Sequence, residues 1–297
     1  MRISTDMLLR NSLSGINRSY ERFSAAQQQL GTGKRITKPS DDPQGLGLAI
    51  NMREVQDRIA QYQRNINDAR GFMATSDAAL GQAVTLVRQA RTLGIETVNG
   101  SIDPDERAII AQQVNDIIRA VGNLGNATYG SRYVFGGQET RKPPMESRSN
   151  RYVYVGAADG GGADALTTEL GSGDYMRING TADRLFIPAI DALSSLRDSI
   201  ANGSQDHISR EDLTAIDAQL GVLLGARADI GAKVQRLDQA RSRHEQTTLT
   251  VTALISSIED ADIPKVVVDM TTAELTYQAA LASAARGLSQ SLLDYLR

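Results

Sequence analysis

A chain of 297 residues with 41% hydrophobic content, 4% aromatic content, no tryptophan and no cysteine allows one to three domains with aliphatic cores, a composition that suits helical bundles better than sheets. The missing thiols exclude disulfides, thiolate metal sites and a cysteine nucleophile. A formal charge of −3 gives no reason to expect nucleic acid or an anionic membrane as partner, and no stretch reaches the roughly 18 consecutive apolar residues of a membrane helix.

Met1 to Leu13 mixes arginine, aspartate and asparagine with its apolar residues, so it lacks the continuous core of a secretory signal; export would need another route. Within residues 1–30, Leu9, Leu13, Ile16, Tyr20, Phe23 and Leu30 keep heptad spacing, which predicts an amphipathic helix too short and polar to be stable undocked. Gly31, Gly33, Pro39, Pro43 and Gly45 then interrupt the periodicity and mark a loop. Asp42 before Pro43 reads as an N-cap with proline at the first helical position.

The longest signal follows. Met52, Val55, Ile59, Tyr62, Ile66, Ala69, Met73, Ser76, Leu80, Ala83, Val87, Ala90 and Gly94 alternate three and four apart, the seam of a helix packed along its length. At 1.5 Å per residue it would be roughly 65 Å long. The covering stripe comes from the far end of the chain, where Leu213, Ile216, Leu220, Leu223, Ile230, Val234, Leu237, Val251, Ile255 and Ile258 keep the same spacing. Between them, Asp103-Pro104 with Glu106 predicts another capped start, and Ile110, Val114, Ile117, Val121 and Leu124 an antiparallel return helix. From Tyr129 to Phe186 the helical period disappears. Gly136-Gly137, Pro143-Pro144, Tyr152 to Val155, Gly160 to Gly162 and Asn179-Gly180 predict short strands and loops. Helical spacing returns at Pro188, Ile190, Leu193 and Ile200, stops near Gly203, and restarts behind a predicted Ser209/Asp212 cap. After the acidic break Glu259 to Pro264, Val267, Met270, Tyr277, Leu281, Ala284, Leu288 and Tyr295 predict a final helix.

The expected fold is therefore mainly α: an elongated antiparallel, coiled-coil-like helical rod formed by both halves of the chain (48–135 and 187–258), a small β-rich insertion (136–186) and amphipathic terminal helices (1–47 and 259–297). Residues 1–47 carry seven basic and four acidic side chains, and residues 259–297 three and six. Their opposite net charges favour the two ends lying together, although exposed pairs contribute only ~0–1 kcal/mol each and apolar contact should dominate.

Catalytic and ligand signals are weak. Gly31-Thr32-Gly33-Lys34 fails as a phosphate loop because Gln28 and Arg35 stand where that motif needs glycine and Ser/Thr. Asp41 and Asp42 could ligate a hard cation, but capping and a turn explain them better. Gly160 to Asp164 occurs once, whereas calcium-binding repeats need stacked copies. His244 falls on the seam beside Arg241, and His207 in a polar connector; no acid, base and nucleophile converge. Arg227 and Arg241 read as seam positions that set register or snorkel.

The run Gln29 to Pro43 (QLGTGKRITKPSDDP) resembles the N-terminal signature of the flagellin superfamily, and its Gly33, Lys34, Arg35, Ser40, Asp41, Asp42 and Pro43 form the signature loop. The likeness extends to Leu124-Gly125-Asn126-Ala127 with Tyr133-Val134-Phe135-Gly136-Gly137, and to Ile258-Glu259-Asp260-Ala261-Asp262. The ends, Met1-Arg2-Ile3-Ser4-Thr5 and Ser291 to Arg297, look most like the family's hook–filament junction members. Gly31, Gly45 and Gly47 depart from the commoner serine and alanines, so a more mobile loop is expected. The resemblance implies a structural, non-catalytic subunit without cofactor or metal, exported unfolded through the flagellar type III apparatus with an export chaperone, and located extracellularly on the flagellum. It further implies a ring of self-contacting subunits between a hook-side junction protein and flagellin on the filament side. Leu9, Leu13, Ile16, Tyr20, Phe23, Leu30, Val267, Met270, Tyr277, Leu281, Leu288 and Tyr295 would make the assembly contacts, with the insertion outward. The alternatives are a minor flagellin that forms filaments itself and, from another class, an enzyme or glycan-binding module on residues 136–186.

Overall fold

The computed structural model describes residues 5–99, 102–148, 151–156 and 166–295; the expectations for Met1 to Ser4, for Gly160 to Asp164 and for the chain end beyond Tyr295 lie outside them. The elements are α1 (Thr5–Thr32), α2 (Pro43–Asn99), α3 (Pro104–Leu124), β1 (Thr128–Tyr129), β2 (Arg132–Tyr133), β3 (Met145–Arg148), β4 (Arg151–Tyr154), β5 (Thr167–Gly171), β6 (Asp174–Arg177), α4 (Ala182–Leu185), α5 (Ile187–Asn202), α6 (Gln205–His207), a π-helical turn Ile208–Asp212, α7 (Leu213–Glu259) and α8 (Ile263–Tyr295). Two compact units emerge: residues 1–58 with 246–297, and residues 59–245.

In the larger unit, the parts of α2, α3, α5 and α7 within it supply one hydrophobic core. The predicted seam lies inside it, with Ile66, Ala69, Met73, Leu80, Ala83, Val87 and Ala90 on α2 and Ile216, Leu223 and Leu237 on α7 all buried. Surface ion pairs record the antiparallel register of α2 and α7. Arg70 pairs with Asp238, Asp77 with Arg227 and Arg91 with Asp217, the numbers rising on one helix as they fall on the other. Arg227 is thus a register pair across the seam, and Arg241 pairs with Glu245 one turn on. A second buried row on α2, with Phe72, Ala79 and Val84, was hidden by the regularity of the first.

Asp103 caps α3 by accepting from the Glu106 amide at 2.8 Å, and α5 ends on Gly203 in the left-handed conformation (φ 72°), where glycine carries no Cβ penalty. The predicted Ser209/Asp212 cap is overturned. The chain passes from α6 through the π-helical turn into α7, Ser209 Oγ donates to the Asp206 carbonyl, and Asp212 is buried, accepting from Ser195.

Among the described residues, the β-rich segment is three separate antiparallel hairpins, β1–β2, β3–β4 and β5–β6. The last turns through Gly173 (φ 75°), not through Asn179-Gly180. Its attachment explains one motif physically. The Asn126 side-chain amide donates to the Met145 carbonyl and accepts from the Met145 amide, both at 2.9 Å, completing β3 as a neighbouring strand would. At Gly125 an added Cβ would lie 2.1 Å from Met145 Sδ, so any larger residue there would have to displace the buried Met145 side chain. Phe135 and Phe186, both fully buried, meet edge-on with centroids 4.8 Å apart. His244 stacks on Tyr62 at 5.5 Å and its Nε2 donates to the Leu170 carbonyl at 2.5 Å. It fastens β5 to the long helices and is half-buried, in keeping with a seam position.

Candidate assembly site

The signature loop lies in the smaller unit, against the joint between α7 and α8. Gly33 to Arg35 and Glu259 to Ala261 form a short antiparallel ladder. The Arg35 amide donates to the Glu259 carbonyl at 2.6 Å, the Ala261 amide donates to the Gly33 carbonyl at 2.9 Å, and Lys34 faces Asp260 between them. Gly33 adopts φ 68°, a conformation that favours glycine. Side chains reinforce the ladder. Lys34 Nζ reaches Asp260 at 2.5 Å and Glu259 at 3.7 Å. Arg35 donates to the Ile258 carbonyl at 2.7 Å and to Asp42 at 3.0 Å. Arg53 on α2 reaches the buried Glu259 carboxylate at 2.6 Å.

The acidic pair has two distinct duties. Asp41 accepts from the Thr37 and Lys38 amides and the Thr37 hydroxyl and so closes the loop. Asp42 accepts from the Gly45 amide at 2.8 Å and caps α2, whose first residue is Pro43. A Cβ at Gly45 would lie 2.5 Å from the Asp42 carboxylate, so the departure at this position seats the cap. Ser40 is exposed at the loop tip.

These contacts set the pH range of the ladder. Amides at Lys38 and Thr37 hold Asp41 below its ordinary 3.8; the Gly45 amide and then Arg35 do so for Asp42; Lys34 and then Ser256 do so for Asp260. A depressed carboxylate stabilises the fold above its unfolded value and stops doing so as pH falls through its folded value. Lys34, raised above 10.5 chiefly by Asp260, contributes below 10.5 and ceases to as pH rises beyond it. Amide exchange at Arg35 and Ala261 should therefore be slow and flat from pH 4 to 10 after correction for intrinsic rates, and accelerate below pH 3.8. Flat protection down to pH 2 would contradict this.

Beyond the ladder, α1 and α8 pack antiparallel, with the Tyr20 and Tyr277 rings 5.7 Å apart. On α1, Ile16, Phe23 and Leu30 are half-buried and Ala26 is buried; on α8, Val266 is buried and Met270, Ala273, Tyr277, Ala280 and Ala284 are half-buried. The predicted set is thereby divided. Ile16, Phe23, Leu30, Met270 and Tyr277 turn inward within the chain, while Leu13, Tyr20, Val267 and Leu281 remain exposed. The side chains of Leu9, Leu288 and Tyr295 lie outside the described residues. Sequence reading missed Leu48, Ile50, Leu249, Leu254, Ile263, Val268 and Leu275, all exposed on the smaller unit. At 100° per residue, Val268 and Leu275 stand seven apart on one line of α8, displaced from its inward line; that offset was the available signal. Twelve of the eighteen exposed large apolar side chains among the described residues belong to this unit, although it holds little more than a third of the chain, so apolar exposure concentrates there.

Residues 3–140 match the bacterial flagellin N-terminal helical region and residues 213–296 the bacterial flagellin C-terminal helical region. The chain is 25% identical to flagellar hook-associated protein 3 of Escherichia coli (strain K12), over 94% of this chain and 96% of that protein. It is 30% identical to flagellar hook-associated protein 3 of Salmonella typhimurium, over 63% of this chain and 57% of that one. Its fold is similar to the solved flagellar hook-associated protein-3 from Legionella pneumophila, with a TM-score of 0.63 and 12% identity, covering 70% of this chain and 98% of that chain. With both helical regions matched across most of its length, the chain belongs to the bacterial flagellin family.

Proposed function

We propose that this chain is a non-catalytic junction subunit of the bacterial flagellum, exported to the cell exterior and assembled between a hook-side junction protein and the flagellin filament. The observation that carries the reading is the concentration of exposed apolar side chains on the unit holding both chain ends. Contiguous exposed apolar surface is uncommon on monomers and marks interaction sites. The hook-associated relatives supply the context. Leu13, Tyr20, Val267 and Leu281 from the predicted set, together with Val268, Leu275, Leu48, Ile50, Leu249 and Leu254, form the contact surface to neighbouring copies. The ladder at Gly33 to Arg35 holds the two terminal helices in register so that this surface is presented as one. Repeated heterologous contacts of this kind close into a ring or continue as a helix. An export chaperone would cover the same apolar side chains before assembly.

The test is electron microscopy of the purified protein alone and with its hook-side and filament-side partners. A bounded layer of subunits between the two, and no long filaments from the protein alone, is expected. Long filaments from the protein alone would instead identify a minor flagellin.

A further inference from the structure

In the larger unit, a second cluster of titratable groups stands where α5 is joined to α7. His207, the last residue of α6, sits between two carboxylates of the π-helical turn: Nδ1 lies 3.1 Å from Asp212 Oδ2 and Nε2 lies 3.2 Å from Glu211 Oε2. Ser199 Oγ of α5 is 3.2 Å from Nδ1, and the other Asp212 oxygen accepts from Ser195 Oγ of α5 at 2.6 Å. Next to His207 in sequence, the Gln205 side chain donates to the Thr97 carbonyl near the end of α2 at 3.5 Å. Serine, histidine and carboxylate together invite a hydrolase reading. The geometry opposes it: Ser199 is buried, and it shares Nδ1 with Asp212 instead of facing one carboxylate across the ring.

We infer that His207 is a pH-responsive pin that locks the π-helical turn between α5 and α7 when protonated and loosens it when neutral. Asp212 is 2% exposed, and a buried carboxylate needs charge-assisted donors. The imidazolium donates from both nitrogens, to Asp212 and to Glu211. The neutral ring keeps one N–H, which Asp212 retains, and turns a lone pair toward Glu211, so that carboxylate swings to solvent. A π-helical turn is rare and occurs mostly as a single turn inside α-helices, and loss of one of its side-chain ties falls directly on it. The charged groups that bear on His207 are Asp212 first and Glu211 second; from α5 it is met by the serine hydroxyl, and from α3 the Arg107 guanidinium lies against Gly203, four residues away. The sign follows from linkage. Asp212 raises the His207 pKa above its ordinary 6.5, so the stabilisation is complete below pH 6.5 and is lost as pH rises through the higher folded value.

The experiment is hydrogen exchange on the full chain from pH 5.5 to 9, corrected for intrinsic rates and read over residues 203–214, for the wild type, His207→Gln and Glu211→Gln. In the wild type, protection should be highest below pH 6.5 and be lost as pH rises beyond it. His207→Gln should show low, pH-independent protection, and Glu211→Gln a smaller drop. Flat wild-type protection, or an unchanged drop in His207→Gln, overturns the proposal. Should His207→Gln not fold, the proton NMR titration of His207 in the wild type decides, since a pKa at or below 6.5 overturns it equally.

Discussion

Removing residues 1–47 and 259–297 will leave a helical, cooperatively melting monomer that no longer joins any assembly. Every buried side chain of the larger unit's core lies between residues 59 and 245, so none is lost. Its unfolding transition should therefore stay cooperative. The smaller unit has a much thinner interior. Its buried apolar side chains among the described residues are Ala26, Ala49, Val251, Ile255 and Val266, two of them alanines, which is too little to order long helices firmly. Such helices gain their remaining burial from neighbours, so their loss should reduce incorporation below detection while circular dichroism still reports α2, α3, α5 and α7. Loss of helicity from residues 59–99 and 213–245, or incorporation of the truncated chain, would sink this division of labour.

How far the residues alone reached depends on whether a contact leaves a periodic trace. The α2 and α7 seams were legible because burial repeats every three or four residues over many turns, and a repeated signal survives an occasional Ser76 or Gly94. The terminal helices were legible as helices, yet heptad spacing alone could not tell an inward Met270 from an outward Val267. Which flank of a wide apolar arc is covered depends on the partner's angle of approach. The ladder from Lys34 to Asp260 joins residues 226 apart, and one ion pair at that separation leaves no pattern; only the opposite net charges of the two ends pointed to it. The cap assigned to Ser209 and Asp212 failed for a chemical reason. The same short polar side chains that cap helices also satisfy buried turns, and Asp212 is engaged by Ser195 and His207 instead. The Asn126 contact to Met145 was visible as a motif but not as a mechanism, since nothing in the sequence says which backbone an amide will imitate.

Two variants should separate folding from assembly. Phe186→Ala removes a side chain with no exposed surface that meets Phe135 edge-on at 4.8 Å. Emptying such a site forfeits both transfer and packing energy, so unfolding of the larger unit should become easier by about 3–5 kcal/mol. Assembly at temperatures where the variant stays folded should be nearly unaffected, because Phe186 is in the larger unit and contributes nothing to the exposed apolar surface of the smaller one. Val268→Gln combined with Leu275→Gln acts the other way. These side chains are 64% and 63% exposed, and glutamine keeps helix propensity, so folding stability should move by no more than about 0.5 kcal/mol. If they are apolar anchors between copies, each contact between subunits loses about 2 kcal/mol or more, roughly thirtyfold in affinity, and the loss recurs at every joint of a ring. Denaturant unfolding followed by electron microscopy of mixtures with hook-side and filament-side partners reads both effects. Normal incorporation of the double glutamine variant would move the contact surface off this flank of α8. A stability loss in that variant comparable with Phe186→Ala would show that Val268 and Leu275 are buried within the single chain after all.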